Sequence, residues 1–193
     1  AAVYNSALPV LVDCDPETWC MDVSQVEARI TPRTRALMPV HIYGHPVDMN
    51  PLLVLAARHG LRVIEDAAEV HGAMYRGRRC GSLGDVSCFS FYANKHVTTG
   101  EGGMVLTDDL VLAERCRSLR NLCFQSRQRF LHEELGWNFR MSNLQAAVGL
   151  AQLERLAEFI SMKRKMGSFY TESLQGIAGL QFPAHLLASL LHF

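Results

Sequence analysis

LRVIEDAAEVHGAMYRGRRCGSLGDVSCFSFYANKHVTTGEGGMVLTDD, residues 61–109, decides how this chain is organised. LRVIEDA (61–67), VSCFSFY (86–92) and GGMVLTDD (102–109) are short apolar runs bounded by Gly, Asn and Asp. That is the pattern of strands separated by turns. Asp108 or Asp109 stands where a side-chain cap would open a further helix. Between the second and third strands, Thr99-Gly100-Glu101-Gly102-Gly103 lacks both the GxxxxGK[ST] and the GxGxxG spacing, so it reads as a tight turn needing positive φ.

Upstream, ALPVLVDCD (7–15) and RALMPVHIYG (35–44) read as two more strands. DVSQVEARI (22–30) sets Val23, Val26 and Ile30 on one helical face. Asn50-Pro51 reads as an N-cap and first helical position, opening a helix that Gly60 closes. Strands alternating with helices predict an α/β domain with a mainly parallel sheet. Downstream, Ser142 and Gln145 fit a capping box. The helical pattern that follows meets no breaker until Gly176, and the tail FPAHLLASLLHF has no compact plan of its own.

Composition narrows the function classes. Of 193 residues 49% are hydrophobic and 20% charged, with Lys+Arg equal to Asp+Glu, a balance that supports one sizeable core. Zero formal charge gives no electrostatic reason for nucleic-acid or anionic-membrane binding. No apolar stretch approaches the ~18 residues of a membrane span, and the first residues lack a signal-peptide pattern. Six cysteines without CxxC or zinc-like spacing predict reduced, buried thiols of a cytoplasmic protein.

Two acidic and basic features leave neighbouring strands. Glu65-Asp66-Ala67-Ala68-Glu69 follows one, and Ser90-Phe91-Tyr92-Ala93-Asn94-Lys95 follows the other. In parallel α/β sheets, ligands bind beyond the carboxyl ends of the strands. An aspartate and a lysine there suit pyridoxal phosphate, which needs an amine for its aldehyde and a carboxylate for its ring nitrogen. A lone strand-end Asp or Lys is more often a cap or a surface charge, and spacing alone does not settle Asp66 and Lys95 as cofactor ligands.

The longer strings do choose. Residues 64–109, together with PVHIYGHPVDMNPLLVLAARHGLRVIEDAAE and GWNFRMSNLQAAVGLAQLERLAEFI, resemble the DegT/DnrJ/EryC1/StrS family of pyridoxal-phosphate-dependent sugar aminotransferases. The resemblance runs from about Ala7 to Leu174 and looks strongest to the perosamine-synthase branch, which aminates GDP-4-keto-6-deoxymannose. It implies the large domain of an aspartate aminotransferase-like, fold type I transferase, incomplete in this chain. Residues 1–141 would be its central part, 142–176 a helix leading toward a small C-terminal domain, and 177–193 a tail. It also implies a homodimer with a shared active site, glutamate as amino donor, and a nucleotide-linked keto sugar as acceptor.

Carried over by motif, Lys95 would be the Schiff-base lysine and proton shuttle. Asp66 would pair with the pyridinium nitrogen, and Glu69 would contact the ring hydroxyl, where glutamine often stands. Ser90 would bond the phosphate, and Asn138 would reach it from the partner subunit. Because Lys95 is retained, the resemblance favours amino transfer over the dehydratase branch, which carries histidine there. The family's phosphate-cradling turn and its small domain have no counterpart in the sequence, so an inactive remnant that only associates is the alternative.

Other candidates are weaker. His41 and His45 lack the third and fourth ligands of a zinc site, so no metal is expected. His71 reads as structural rather than crevice-lining. Arg76, Arg78 and Arg79 read as a solvated basic hairpin, with sugar-nucleotide phosphate contact as the other possibility, and Arg140 is similarly open. Phe89, Phe91 and Tyr92 read as core and crevice wall.

Overall fold

The computed structural model describes residues 1–124, 130–132, 134–180 and 182. Among the described residues, six strands and four α-helices follow in order: β1 Ala36–Leu37, α1 Met49–His59, β2 Arg62–Asp66, β3 Met74–Tyr75, β4 Arg78–Arg79, β5 Val86–Ser90, β6 Gly103–Leu106, α2 Leu110–Arg120, α3 Asn143–Leu153 and α4 Leu156–Leu174. The main sheet has the order β1-β2-β5-β6. β1, β2 and β5 run parallel, while β6 returns antiparallel to β5. The α/β reading with a mainly parallel sheet holds.

The core lies between α1 and the sheet. Met49, Leu52, Leu55 and Ala56 share one helical face and are buried with Leu37, Val63 and Leu83. Gly60 closes α1, its N–H reaching Ala56 O and Ala57 O. Asp109 caps α2 through Val111 and Leu112 N–H, and the Ser142–Gln145 capping box opens α3. The basic segment is the β3–β4 hairpin, turned by Arg76 (φ 49°) and Gly77 (φ 79°). Positive φ at both central residues is the type I′ geometry whose twist matches the strands.

Several expectations are corrected. Asp48 takes the N-cap position of α1 without a side-chain cap bond, and Pro51 is its third residue; a missing N–H costs nothing there, because first-turn donors have no intrahelical partner. Residues 22–30 form two 3-10 turns, Val23–Gln25 and Glu27–Arg29, and not one helix. Three-residue spacing fits a 3-10 turn as well as an α face, and the Asp22 carboxylate captures the Ser24 N–H. Residues 7–15 make no ladder beyond the isolated Cys14–Met21 bridge; Leu8 and Leu11 are 79% and 82% exposed, with no strand beside them. The 35–44 strand shortens to β1 because Pro39 has no N–H to give. Of the six cysteines all are free thiols, but Cys14 and Cys88 are exposed.

The long helix breaks at Glu154–Arg155 into α3 and α4 without Gly or Pro. Its two halves dock on different neighbours. Gln152 grips Thr98, while Ile160 and Leu156 pack over Gly72, where an added Cβ would sit 2.5 Å from Ile160 Cδ1. Most of the tail, 181 and 183–193, lies outside the described residues. No described helix is long and apolar enough to cross a membrane.

Candidate active site

Parallel pairing of β2 with β5 puts Asp66 and Ser90 on one edge of the sheet, with Asp66 level with Cys88. Asp66 is gripped by the chain leaving β1: its N–H donates to Pro39 O at 2.9 Å, and its carbonyl accepts from His41 N–H at 3.1 Å. Its carboxylate turns back to accept the Ala68 N–H at 3.1 Å, and the side chain stays half-buried in the turn. The Ser90 hydroxyl accepts the Tyr92 N–H at 3.2 Å, and Lys95 N–H closes the next turn on Tyr92 O.

That turn carries Lys95 back toward β2. Its Nζ donates to Glu69 Oε1 at 2.8 Å, and the lysine side chain is only 15% exposed. The other oxygen, Glu69 Oε2, accepts the Tyr43 N–H at 2.8 Å. Burial would raise the Glu69 pKa, but the Lys95 ammonium and the Tyr43 N–H outweigh it and leave it below the ordinary glutamate value. Tyr43 holds this N–H in place from a left-handed conformation (φ 53°, ψ 29°) that non-glycine residues rarely adopt.

Lys95 also borders a cavity of about 450 Å³ whose other lining residues are His96, Phe159, Met162, Lys163 and Met166. The α4 face therefore walls the crevice on one side. Burial, with Lys163 and Lys95 nearby, lowers the His96 pKa. His71 is buried among the Phe89, Phe91 and His96 rings at centroid distances of 5.4, 6.0 and 6.2 Å. Burial and then His96, with a smaller push from Lys95, lower its pKa to about 4 against an opposing pull from the Ser90 backbone, so it packs as a neutral ring. Among the described residues, neither ring nitrogen has a hydrogen-bond partner of good geometry.

The glycine-rich loop is a docked turn. Gly100 and Gly102 take φ 78° and 142°, and a Cβ on Gly102 would lie 2.7 Å from Thr99 Oγ1. Gln152 pairs with both Thr98 N–H (3.1 Å) and Thr98 O (2.7 Å), fastening the loop to α3.

The structure thus joins Glu69 to Lys95 and sets Asp66 and Ser90 on the same edge. Asn138 sits elsewhere in the hydrogen-bond pattern: it is exposed, its side-chain oxygen accepts from Arg140, and its backbone bridges to Asn121. Arg140 is spent on those same two asparagines. Arg76, Arg78 and Arg79 are exposed, with Arg76 lying over the Tyr75 ring at 5.6 Å.

Sequence reasoning named Glu65 only as part of its motif and weighed His41 only as a zinc ligand, and gave neither a place in the site; both are essentially inaccessible at 0% and 1% exposure. Glu65 accepts His41 Nε2 at 3.0 Å and the N–H groups of Gly81, Leu83 and Gly84 at 2.8, 2.7 and 2.6 Å. Burial would raise its pKa, but those four donors together lower it. The signal was available: in a strand of period two, Glu65 falls on the same face as buried Val63, opposite Asp66. With both nitrogens of His41 engaged, on Glu65 and on the Val47 N–H, it is no metal ligand.

Fold and site define the class: an α/β domain whose parallel strands present one amine and two carboxylates at their C-terminal edge. The chain belongs to the DegT/DnrJ/EryC1/StrS aminotransferase family, whose model matches residues 1–189. It is 51% identical over 174 residues to the GDP-perosamine synthase of Caulobacter vibrioides, covering 90% of this chain and 47% of that protein. It is 47% identical over 184 residues to the dTDP-3-amino-3,4,6-trideoxy-alpha-D-glucose transaminase of Streptomyces venezuelae, covering 95% and 48%. The crystal structure of S. venezuelae DesV in complex with a ketimine intermediate superposes with a TM-score of 0.84 at 47% identity, covering 92% of this chain and 47% of that one. The chain spans about half the length of the relatives it matches. Its mainly parallel sheet with flanking helices is the fold it shares with solved sugar aminotransferases.

Proposed function

We propose that this chain is the cofactor-binding part of an aminotransferase that moves an amino group, with glutamate as donor, onto the keto carbon of a nucleotide-linked sugar. In this reading residues 1–141 form the central part of the cofactor domain and 142–176 lead toward a small domain. One observation carries it: a poorly exposed lysine amine is held 2.8 Å from a carboxylate at the strand edge that also bears Asp66. That donor set fits pyridoxal phosphate, which the family implies and which, when bound, supplies an aldehyde for amines and a ring that accepts electrons.

The chain's own residues would divide the work. Lys95 would hold the aldehyde and then take and return the proton at the substrate carbon. Asp66 would keep the ring nitrogen protonated, its carboxylate oriented by the Ala68 N–H. Glu69 would receive the ring hydroxyl, already oriented by the Tyr43 N–H. Ser90 would bond the phosphate, and Asn138 of a second copy would complete its shell. Exposed apolar side chains on α3, Leu144 at 82% and Val148 at 54%, support association of two copies.

The relatives' names support a nucleotide sugar as acceptor, and the perosamine branch makes GDP-4-keto-6-deoxymannose the first substrate to try. Free thiols without a disulfide fit a cytoplasmic setting. The second reading is a chain that associates but does not catalyse transfer. Pyridoxal phosphate added to the purified chain is expected to give a visible absorbance band that Lys95→Ala abolishes, followed by amino transfer. A band without transfer supports the second reading. A band that Lys95→Ala leaves unchanged overturns the assignment of Lys95.

A further inference from the structure

Among the described residues, the Glu65 carboxylate meets four N–H groups and no cationic side chain. Oε1 accepts from Leu83 and Gly84, while Oε2 accepts from Gly81 and His41 Nε2. The Val47 N–H points at His41 Nδ1 at 3.1 Å, so Nδ1 is the bare nitrogen and Nε2 carries the hydrogen. Donor and acceptor parity then leaves no freedom. Only a group with two accepting oxygens satisfies all four donors, and an amide in its place would set an NH2 against at least one N–H whichever way it turned.

Through this carboxylate three chain segments meet. His41 belongs to the segment leaving β1, Glu65 to β2, and Gly81–Gly84 to the turn entering β5, itself tied to β5 by Ser87 Oγ on Gly81 O at 2.7 Å. Those segments carry Tyr43, Asp66 and, at the far end of β5, Ser90. His41 is two residues from Tyr43, whose N–H orients Glu69 on Lys95.

We infer that Glu65 and His41 are positioning residues of the cofactor site: they fix the 41–47 segment so that the Tyr43 N–H reaches Glu69 and Glu69 meets Lys95. This rests on the proposed cofactor reading for its purpose, but its geometry is testable without cofactor. A carboxylate that served the core alone would hold the 81–84 turn and leave Tyr43 indifferent to it.

Native-state amide exchange on the full chain separates these cases. Tyr43 is itself 65% exposed, and its exchange rate is read relative to the global unfolding rate that the α1 amides of the same variant report. Glu65→Gln is expected to speed Tyr43 exchange at least tenfold, and His41→Asn, which keeps an acceptor near Val47 but cannot reach Glu65, severalfold. Leu55→Ala, a core truncation of comparable destabilisation, is expected to leave Tyr43 unchanged. Wild-type Tyr43 exchange in both folded variants overturns the inference. Should neither variant fold, nitrogen-15 shifts of wild-type His41 decide: the Nε2–H tautomer supports the arrangement, and the Nδ1–H tautomer overturns it. In a parallel titration, pyridoxal phosphate is expected to bind Glu65→Gln at least tenfold more weakly, with Leu55→Ala unaffected. If the wild-type chain forms no band, the cofactor reading fails while the exchange and tautomer results still judge the positioning role.

Discussion

Lys95 Nζ and Glu69 Oε1 lie 2.8 Å apart although 26 residues separate them in the chain. The contact exists because β2 and β5 are parallel neighbours and the turns beyond both strands fold toward each other. The opposite oxygen of Glu69 is engaged by Tyr43 N–H, so one carboxylate joins the ends of three strand segments. Its neutral and truncated variants should therefore differ. Glu69→Gln keeps an oxygen for Tyr43 N–H and is expected to leave Tyr43 amide exchange near wild type. Glu69→Ala removes both bonds and should speed that exchange and cost about 1 kcal/mol, because the pair is partly solvated. Amide exchange and urea midpoints check both outcomes.

His71 gives the chain an acid-sensitive element. Its folded pKa of about 4 lies below the unfolded value of 6.5, so between these values the unfolded chain binds the proton more readily. Stability contributed by the neutral ring is complete above pH 6.5 and falls as pH drops toward 4, by as much as about 3 kcal/mol. Replacing it with a ring that cannot titrate, His71→Phe, should flatten the difference between urea midpoints at pH 7 and pH 4.5. An equal difference in both proteins would show that His71 does not contribute it.

Gln152 holds the glycine-rich loop by two hydrogen bonds to the Thr98 backbone. Gln152→Ala leaves that N–H and carbonyl to find water and should destabilise by about 1–2 kcal/mol. The local signature is faster Thr98 amide exchange, with α1 amides unaffected apart from the global term.

Gly102 combines φ 142° with a Cβ position 2.7 Å from Thr99 Oγ1 and 3.0 Å from Met141 Cε. Gly102→Ala is expected to cost about 1–3 kcal/mol through backbone strain and displaced neighbours. Gly167→Ala on α4, where an added Cβ meets nothing within 4 Å, should match or exceed wild-type stability. Thermal denaturation of the two variants tests the contrast.

Much of this architecture was written locally. The apolar runs at β2, β5 and β6, the Asp109 cap, the Ser142–Gln145 box and the Gly60 stop all follow from short-range pattern and hydrogen-bonding chemistry, and all appear. The motif strings around Asp66 and Lys95 likewise carried the family. What failed locally failed for want of a partner. Residues 7–15 have strand composition but no neighbouring strand to bond, and 22–30 have helical spacing that 3-10 turns satisfy equally. The break between α3 and α4 has no breaker in its sequence, because it comes from two docking sites, Thr98 and Gly72, pulling the halves apart.

The site divides in the same way. Sequence determined which residues carry an amine and carboxylates at strand ends, since residue type and strand period are local properties. Tertiary structure alone decided that Glu69 faces Lys95, that Tyr43 lends its N–H, and that α4 walls the cavity. It also decided that Glu65, one residue from Asp66 and chemically similar, is buried in a cradle of four donors while Asp66 stays at the edge. The physical reason is that a side chain's charge is fixed by its own atoms, but its partners are fixed by which distant segments the sheet brings within 3 Å.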